Sequence, residues 1–528
     1  MSQMLKSTGA MGFATFLSRL LGMARETVYA SFMGAGPIAG AFKMALMIPN
    51  LFRRLLGEGA LTAAFIPIFK EKEKTQGEAE MWRSANSVLS GLIIAAGALS
   101  VLVMIGITVI LHGKYLWLKD DTRLMLELSR IMFPYLLLAC AAAVLMGMLN
   151  ARGHFFVPAM GSAILNVVLI ATVVCVAPFF GGSLEKQIVI LAYGVLIAGV
   201  AQAAYQTPTL FKEGFRFQWV NPFHNEVVRT VVMKMIPGMM GVAAFQLNVL
   251  ITQSIAWHTS PEVVASFDYA VRLMEFPQGI FGISLATYLL PTLSGLAAEK
   301  KYPEFRQTYR DALGYLIFIN LLASILLVVL AKPMIRLLFE HGKFGPLATE
   351  NASFALTCLA PGLVLFSINN ITARAFYALG DTSTPMKISS VCLGLNVLFG
   401  AFLIPIYKEG GMGMANTMSA AFNSYFLIYG LRRKLKSLQV GELPSLISRM
   451  LAVGFTSGVA AWIASHYWES LIGHGHFLAR LGAVFVPIGG ATLVYFGLLA
   501  WLRVPQVHDV IGLFTEKLRI ASKRRENT

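Results

Sequence analysis

Met148-Leu149-Asn150-Ala151-Arg152-Gly153-His154, followed by Val157-Pro158-Ala159-Met160, has a second copy downstream: Phe376-Tyr377-Ala378-Leu379-Gly380-Asp381, followed by Thr384-Pro385-Met386-Lys387. Pro134, Gly153 and Pro158 recur at one constant offset as Pro361, Gly380 and Pro385, and the next apolar run of each copy carries a Leu-Asn pair, Leu165-Asn166 and Leu395-Asn396. A fainter echo links Ala41-Phe42, Ile48-Pro49-Asn50 and Phe65-Ile66-Pro67 with Tyr269-Ala270, Glu275-Phe276-Pro277 and Leu289-Leu290-Pro291. Internal repetition of whole helical segments predicts a chain built of two similar lobes.

The surroundings say which solvent those lobes fold in. Of the 528 residues 56% are hydrophobic and only 13% charged, and the mean hydropathy is +0.66, more apolar surface than a soluble core of this length can hide. The apolar runs are continuous rather than alternating, which excludes a barrel, and each is about as long as a membrane-crossing helix requires. Segments at 8–33, 38–69, 84–112, 125–150, 157–181, 186–210, 230–256, 262–297, 311–339, 353–379, 384–406, 411–434, 445–468 and 477–503 predict an all-α polytopic membrane protein of about fourteen transmembrane helices. The repeat divides them into an N-lobe over 1–210, a cytoplasmic linker over 211–229 and a C-lobe over 230–434, two pseudo-symmetric six-helix lobes. Two extra C-terminal helices lie within 445–503, before a basic cytoplasmic tail over 504–528.

A formal net charge of +16 could suggest nucleic acid, but the basic residues are dispersed over short loops: Lys70, Lys72, Lys74 and Arg83; Lys212, Arg216, Arg229 and Lys234; Lys300, Lys301, Arg306 and Arg310; Arg432, Arg433, Lys434 and Lys436. They fall on alternate loops, which places both termini in the cytoplasm by the positive-inside rule. No cleavable signal pattern precedes the first segment. Cys140, Cys175, Cys358 and Cys392 lie singly in apolar runs and read as buried small hydrophobes. The histidines form no metal set, and Gly342-Lys343-Phe344-Gly345 is too short for a phosphate loop, so an embedded enzyme is disfavoured and no cofactor or metal is expected.

Ionisable groups inside a membrane are costly, so they mark function. Here they gather at the front of each lobe: Arg19, Arg25 and Glu26 in the first segment, Lys43, Arg53, Arg54 and Glu58 in the second, Asp268, Arg272 and Glu275 in the eighth. Glu26, seven residues after Arg19, shares its helical face, whereas Arg25 is offset by about 120°. Glu275, three residues after Arg272, can partner it. The same residues are compatible with packing pairs or snorkelling. As a site, guanidinium groups favour an anionic ligand with phosphate oxygens, because they bind in paired hydrogen bonds and keep their charge.

Ser18-Arg19-Leu20-Leu21-Gly22-Met23-Ala24-Arg25, Pro49-Asn50-Leu51-Phe52-Arg53-Arg54, Gly57-Glu58-Gly59-Ala60, Arg272-Leu273-Met274-Glu275-Phe276-Pro277 and Gly342-Lys343-Phe344 together resemble the MurJ (MviN) lipid II flippases of the multidrug/oligosaccharidyl-lipid/polysaccharide exporter superfamily. The resemblance implies a bacterial inner-membrane transporter, not an enzyme. It would flip the undecaprenyl-diphosphate-linked disaccharide-pentapeptide outward for peptidoglycan synthesis by alternating access of its lobes. It also implies membrane lipids and the cell-wall synthesis proteins as partners and no nucleic acid. Arg19, Arg25 and Arg272 match the family's cavity arginines for the diphosphate; Ser18, Glu26, Arg53 and Glu58 match further family positions, and Lys43 adds a cation nearby. The two C-terminal helices look like the family's groove for the lipid tail. Many members carry an Asp immediately before the Ala-Phe of the second helix; this chain has Gly40. Related expectations are a flippase for another polyprenyl-diphosphate oligosaccharide, a small-molecule exporter, or a non-transporting scaffold whose arginines only pack.

Overall fold

The computed structural model describes residues 2–56, 60–113, 118–279, 283–436, 438, 443–509 and 512, and every regular element among them is helical. Two compact units emerge, the first formed by residues 1–265 with 341–345, the second by 266–340 with 346–528.

The first unit holds α1 (Ser2–Met33), α2 (Pro37–Leu56), α3 (Ala60–Gln76), α4 (Glu78–His112), α5 (Asp120–Met132), α6 (Tyr135–Ala151), α7 (Phe156–Ala171), α8 (Leu184–Lys212) and α9 (Glu226–Thr259). α7 runs on through a π turn and a 3-10 turn to Phe180. Its core at one end joins Phe65, Phe69, Met81, Leu149, Phe215, Val231 and Met235. The boundary between units lies beyond the sequence boundary at 229/230: α9 packs on α2, α3 and α4 and groups with the first unit. Segment 211–225, between α8 and α9, is bonded to α4. Asn86 Nδ2 donates to the Arg216 carbonyl (2.9 Å) and Ser90 Oγ accepts from Val220 N (3.3 Å). Asn225 donates to Ser87 Oγ (3.1 Å) while its Oδ1 caps the first turn of α9.

The second unit begins within α10 (Pro261–Pro277) and continues through α11 (Ile283–Ala298), α12 (Tyr302–Val329), α13 (Ala331–Phe339), α14 (Pro346–Leu359), α15 (Gly362–Ala378), α16 (Ser383–Lys434), α17 (Leu443–Leu471) and α18 (Phe477–Trp501). The last two pack on each other, on α12 and, through α18, on α13. Arg336 Nη1 meets Glu469 Oε1 at 2.6 Å, and the Tyr495 hydroxyl donates to the Phe318 carbonyl at 2.8 Å. Of the cysteines, Cys140 and Cys392 are buried, but Cys175 is exposed: it lies on the outward side of the π turn, where an apolar residue needs no protein cover if lipid is the neighbour.

Eight helices are long and apolar enough to cross a bilayer, ten if each of two bent pairs is one span. The sequence reading gives fourteen, and the difference lies in four places. α1 and the α10–α11 segment carry charges that lower their hydropathy, and residues 57–59 of the α2–α3 segment lie outside the described residues. α16, 52 residues long, scores once although at about 78 Å it is long enough for two crossings, and it breaks at Lys408 (φ 49°, ψ −118°).

The sequence repeat reappears as geometry. α5 and α6 bend by 40° ahead of Pro134, α14 and α15 by 42° ahead of Pro361. α6 ends with Gly153 at φ 87° and His154 N bonded to the Leu149 carbonyl (2.9 Å); α15 ends with Gly380 at φ 73° and Asp381 N bonded to the Phe376 carbonyl (3.0 Å). These are the same left-handed glycine C-cap. Each unit then ties this turn to the end of a later helix, α8 in the first and α16 in the second, with the signs reversed. In the first, Arg152 Nε and His154 Nε2 both reach Glu213 at 2.8 Å, and Arg152 Nη1 also pairs with Glu73 (2.6 Å) and Glu78 (2.9 Å). In the second, Asp381 Oδ2 pairs with Lys434 (2.6 Å).

These ties predict acid sensitivity. Lys70 and Arg152 hold Glu73, and His154 and Arg152 hold Glu213, below the usual carboxylate range; Lys434 and the Thr384 amide bring Asp381 down to about 2. A depressed carboxylate stabilises fully above its unfolded pKa, and that stability is lost as pH falls through the folded value. The thermal midpoint in detergent is therefore expected to be level above about pH 5 and to fall steadily toward about pH 2. Glu213→Gln should lower the plateau and shallow the acid slope; an unchanged slope would show that the tie does not contribute.

Candidate functional site

α1 packs on α7, and Gly22 faces Asn166 there, where an added Cβ would stand in ordinary contact 3.6 Å from the amide nitrogen. There the chain assembles a charged cluster. Glu26, with a side chain only 2% exposed, pairs through Oε1 with Arg25 Nη2 and through Oε2 with Lys43 of α2. Arg25 Nη1 donates to Asn166 Oδ1 at 3.0 Å, and Asn166 Nδ2 donates to the Ser18 carbonyl at 3.2 Å. Tyr29, itself buried, lies beneath both cations, 5.6 Å from Arg25 and 5.7 Å from Lys43, and braces edge-on against Phe42. Two cations share one carboxylate, and Arg25 is 19% exposed while Glu26 is buried.

Of the residues singled out by sequence, Arg25, Glu26 and Lys43 come together, with Ser18 joined through its backbone. Arg19 is half-buried on α1 and makes no hydrogen bond or ion pair among the described residues. Arg53 lies ten residues beyond Lys43, about 15 Å along α2, with its Nε donating to Asn50 Oδ1 at 3.0 Å. Glu58 lies outside the described residues. In the second unit Arg272 is bracketed by acids on its own helix, Glu275 at 3.0 Å and Asp268 at 3.5 Å, so the partner expected at the third residue is present and a turn earlier Asp268 adds another.

Asn166 and Tyr29 are the site residues that the charges alone did not reveal. Asn166 was visible only as half of a repeated Leu-Asn pair. Gly342-Lys343-Phe344 has a structural part: Lys343 N bonds the Ser31 carbonyl at 2.9 Å and Phe344 is buried. Gly342 (φ 57°) approaches so closely that a Cβ would lie 2.4 Å from the Ser31 oxygen. No group of three His, Cys, Asp or Glu among the described residues could hold a metal ion.

Helical units with repeated kinked hairpins and a cationic cluster in the first helices define a multi-pass membrane transporter. The fold matches an inward-facing multidrug transporter of the MATE family and MOP superfamily (TM-score 0.64, 16% identity, 80% of this chain and 96% of that one) and a lipid II flippase MurJ in an inward closed conformation (TM-score 0.74, 21% identity, 93% and 99%). The family profile described as Lipid II flippase MurJ matches residues 29–482. A lipid II flippase MurJ of Burkholderia cenocepacia is 31% identical over 494 residues, covering 92% of this chain and 95% of the relative; a probable one of Vibrio cholerae is 32% identical over 444 residues, covering 81% and 83%. The chain belongs to the MurJ lipid II flippase family.

Proposed function

We propose that this protein carries lipid II, the undecaprenyl-diphosphate-linked peptidoglycan precursor, from the cytoplasmic to the outer leaflet of the bacterial inner membrane by alternating access. The observation that carries this reading is the Arg25–Glu26–Lys43 cluster, which gathers two cations around one buried carboxylate on the first two helices. A cationic drug would be repelled there, whereas a diphosphate is attracted. Arg19, Arg25 and Arg272 are assigned to the diphosphate, with Ser18, Glu26, Lys43, Arg53 and Glu58 supporting them, and α17 and α18 to the polyprenyl tail.

In vesicles reconstituted with purified protein, lipid II is expected to move between leaflets, and a polyprenyl diphosphate bearing another oligosaccharide to move more slowly. Arg272→Ala should reduce lipid II movement at least tenfold while leaving insertion and thermal stability near wild type, since its side chain is 34% exposed and its removal opens little packing. Full movement by Arg272→Ala would remove that arginine from the diphosphate site.

The proposal includes orientation. With both termini inside, single cysteines introduced near residues 75, 220 and 305 should resist impermeant thiol reagents added to intact cells and react once the membrane is opened. Labelling from outside at any of them would reverse the assignment.

A further inference from the structure

Segment 211–225 is built to face the membrane as well as the protein. Its inward side is fixed: Phe215 is buried and meets Trp82 with the rings tilted, centroids 5.6 Å apart. From there the chain climbs α4, with Gly214 beside Trp82 and Pro222 beside Gly91, nine residues of helix or about 13 Å. Every residue of α4 from Ser84 to Leu89, and Ser90 after it, is buried. No isolated surface helix is covered on all sides over nearly two turns, so the strap has taken over the outward face of α4 at this level. Asn86 and Ser90 satisfy its backbone, as given above, and Asn86 Oδ1 accepts from Gln218 N at 3.2 Å.

What the strap turns outward is aromatic: Phe217 (49% exposed), Trp219 (57%) and Phe223 (64%). Lys212, Arg216 and Arg229 are exposed around them, against Glu226 and the already paired Glu213. Depth follows from the neighbouring helices. α9 starts at Glu226, and its outward apolar residues begin at Val232 and Met233, six residues or about 9 Å along. α4 turns Val101 and Leu102 outward beyond the strap. The aromatics thus stand at the edge of the lipid-facing surface, the level at which tryptophan beside cations is at home between acyl chains and headgroups.

We infer that residues 211–225 form an interfacial anchor that seats Phe217, Trp219 and Phe223 in the headgroup boundary of the bilayer and holds anionic phospholipid headgroups with Lys212 and Arg229. The charge complementarity selects anionic lipid.

The test places a nitroxide at position 219 or 223 of the full-length chain, with exposed Cys175 replaced by serine, in vesicles of phosphatidylcholine alone or mixed with phosphatidylglycerol. Collision with oxygen and with a water-soluble nickel complex reports depth. Labels at 219 and 223 are expected to favour oxygen several-fold over a control label at exposed Gln76, and more so when phosphatidylglycerol is present. Lys212→Gln with Arg229→Gln should abolish the phosphatidylglycerol increment while leaving the value in phosphatidylcholine unchanged. A label at 219 as accessible to nickel as the one at 76 would put the strap in water and overturn the anchor. An increment that survives both substitutions, or the absence of any increment, would overturn the anionic-headgroup contact.

Discussion

Gly40→Ala is expected to destabilise the protein by about 1–3 kcal/mol or more, and Gly40→Asp to abolish growth support in a strain that depends on this chain. A Cβ built on Gly40 stands 2.0 Å from the Pro261 carbonyl oxygen and 2.6 Å from its carbon. Both are backbone atoms at the start of α10, so no rotamer change relieves the overlap; α2 must separate from the corner where α9 ends. The neighbours Ala39, Ala41 and Phe42 are fully buried and offer no room for that shift. Gly36→Ala, where a Cβ would meet nothing within 4 Å, is the control and should melt like the parent. The same geometry leaves no space for an acidic side chain at this position. The acid is absent where the backbones are in contact, and Lys43 three residues on finds its counter-charge in Glu26 instead. Wild-type melting and growth with Gly40→Asp would show that the corner opens at little cost.

The duplicated architecture was legible because its marks are local. A proline that bends a helix and a glycine that caps one act within a few residues, so Pro134, Gly153, Pro361 and Gly380 kept their spacing and their geometry together. The charged members of the cluster were legible for a different reason: Arg25, Glu26 and Lys43 stand in apolar runs, where a charge is too costly to be incidental. Asn166 was not, because a neutral amide in a helix carries no such penalty and its bond to Arg25 spans 141 residues. α9 was given to the C-lobe by counting six helices and six. By contact it groups with the first unit: it packs on α2, α3 and α4 with Val231 and Met235 in that unit's core, and Asn225 before it bonds Ser87. α1 was legible as a span at 8–33 even though its charges lower its hydropathy.

Glu26→Ala is expected to have the largest effect on stability of any single change in the cluster, about 3–5 kcal/mol. Its carboxylate is nearly fully buried and pairs with Arg25 and Lys43 at once. Removing it leaves two cations facing each other with little water to screen them, a penalty that exceeds the value of the pairs themselves. Glu26→Gln keeps the shape but not the charge and should fall between. Adding Lys43→Met to Glu26→Gln should restore part of the loss, because one of the stranded cations is then gone, and the non-additivity of that double change measures the coupling. Arg25→Lys separates stability from transport. The ammonium can still pair with Glu26, so the fold should lose only the Asn166 bond and the exposure of its Oδ1, about 1–3 kcal/mol. It cannot bond Glu26 and Asn166 while also offering a paired donor face outward, so flipping should fall far more than the melting temperature does. If Arg25→Lys flips lipid II at the wild-type rate, positive charge is sufficient and the guanidinium fork is not required. If Glu26→Ala melts with the parent, the cluster is wetter than its geometry shows, and the electrostatic case for a buried anion site fails with it.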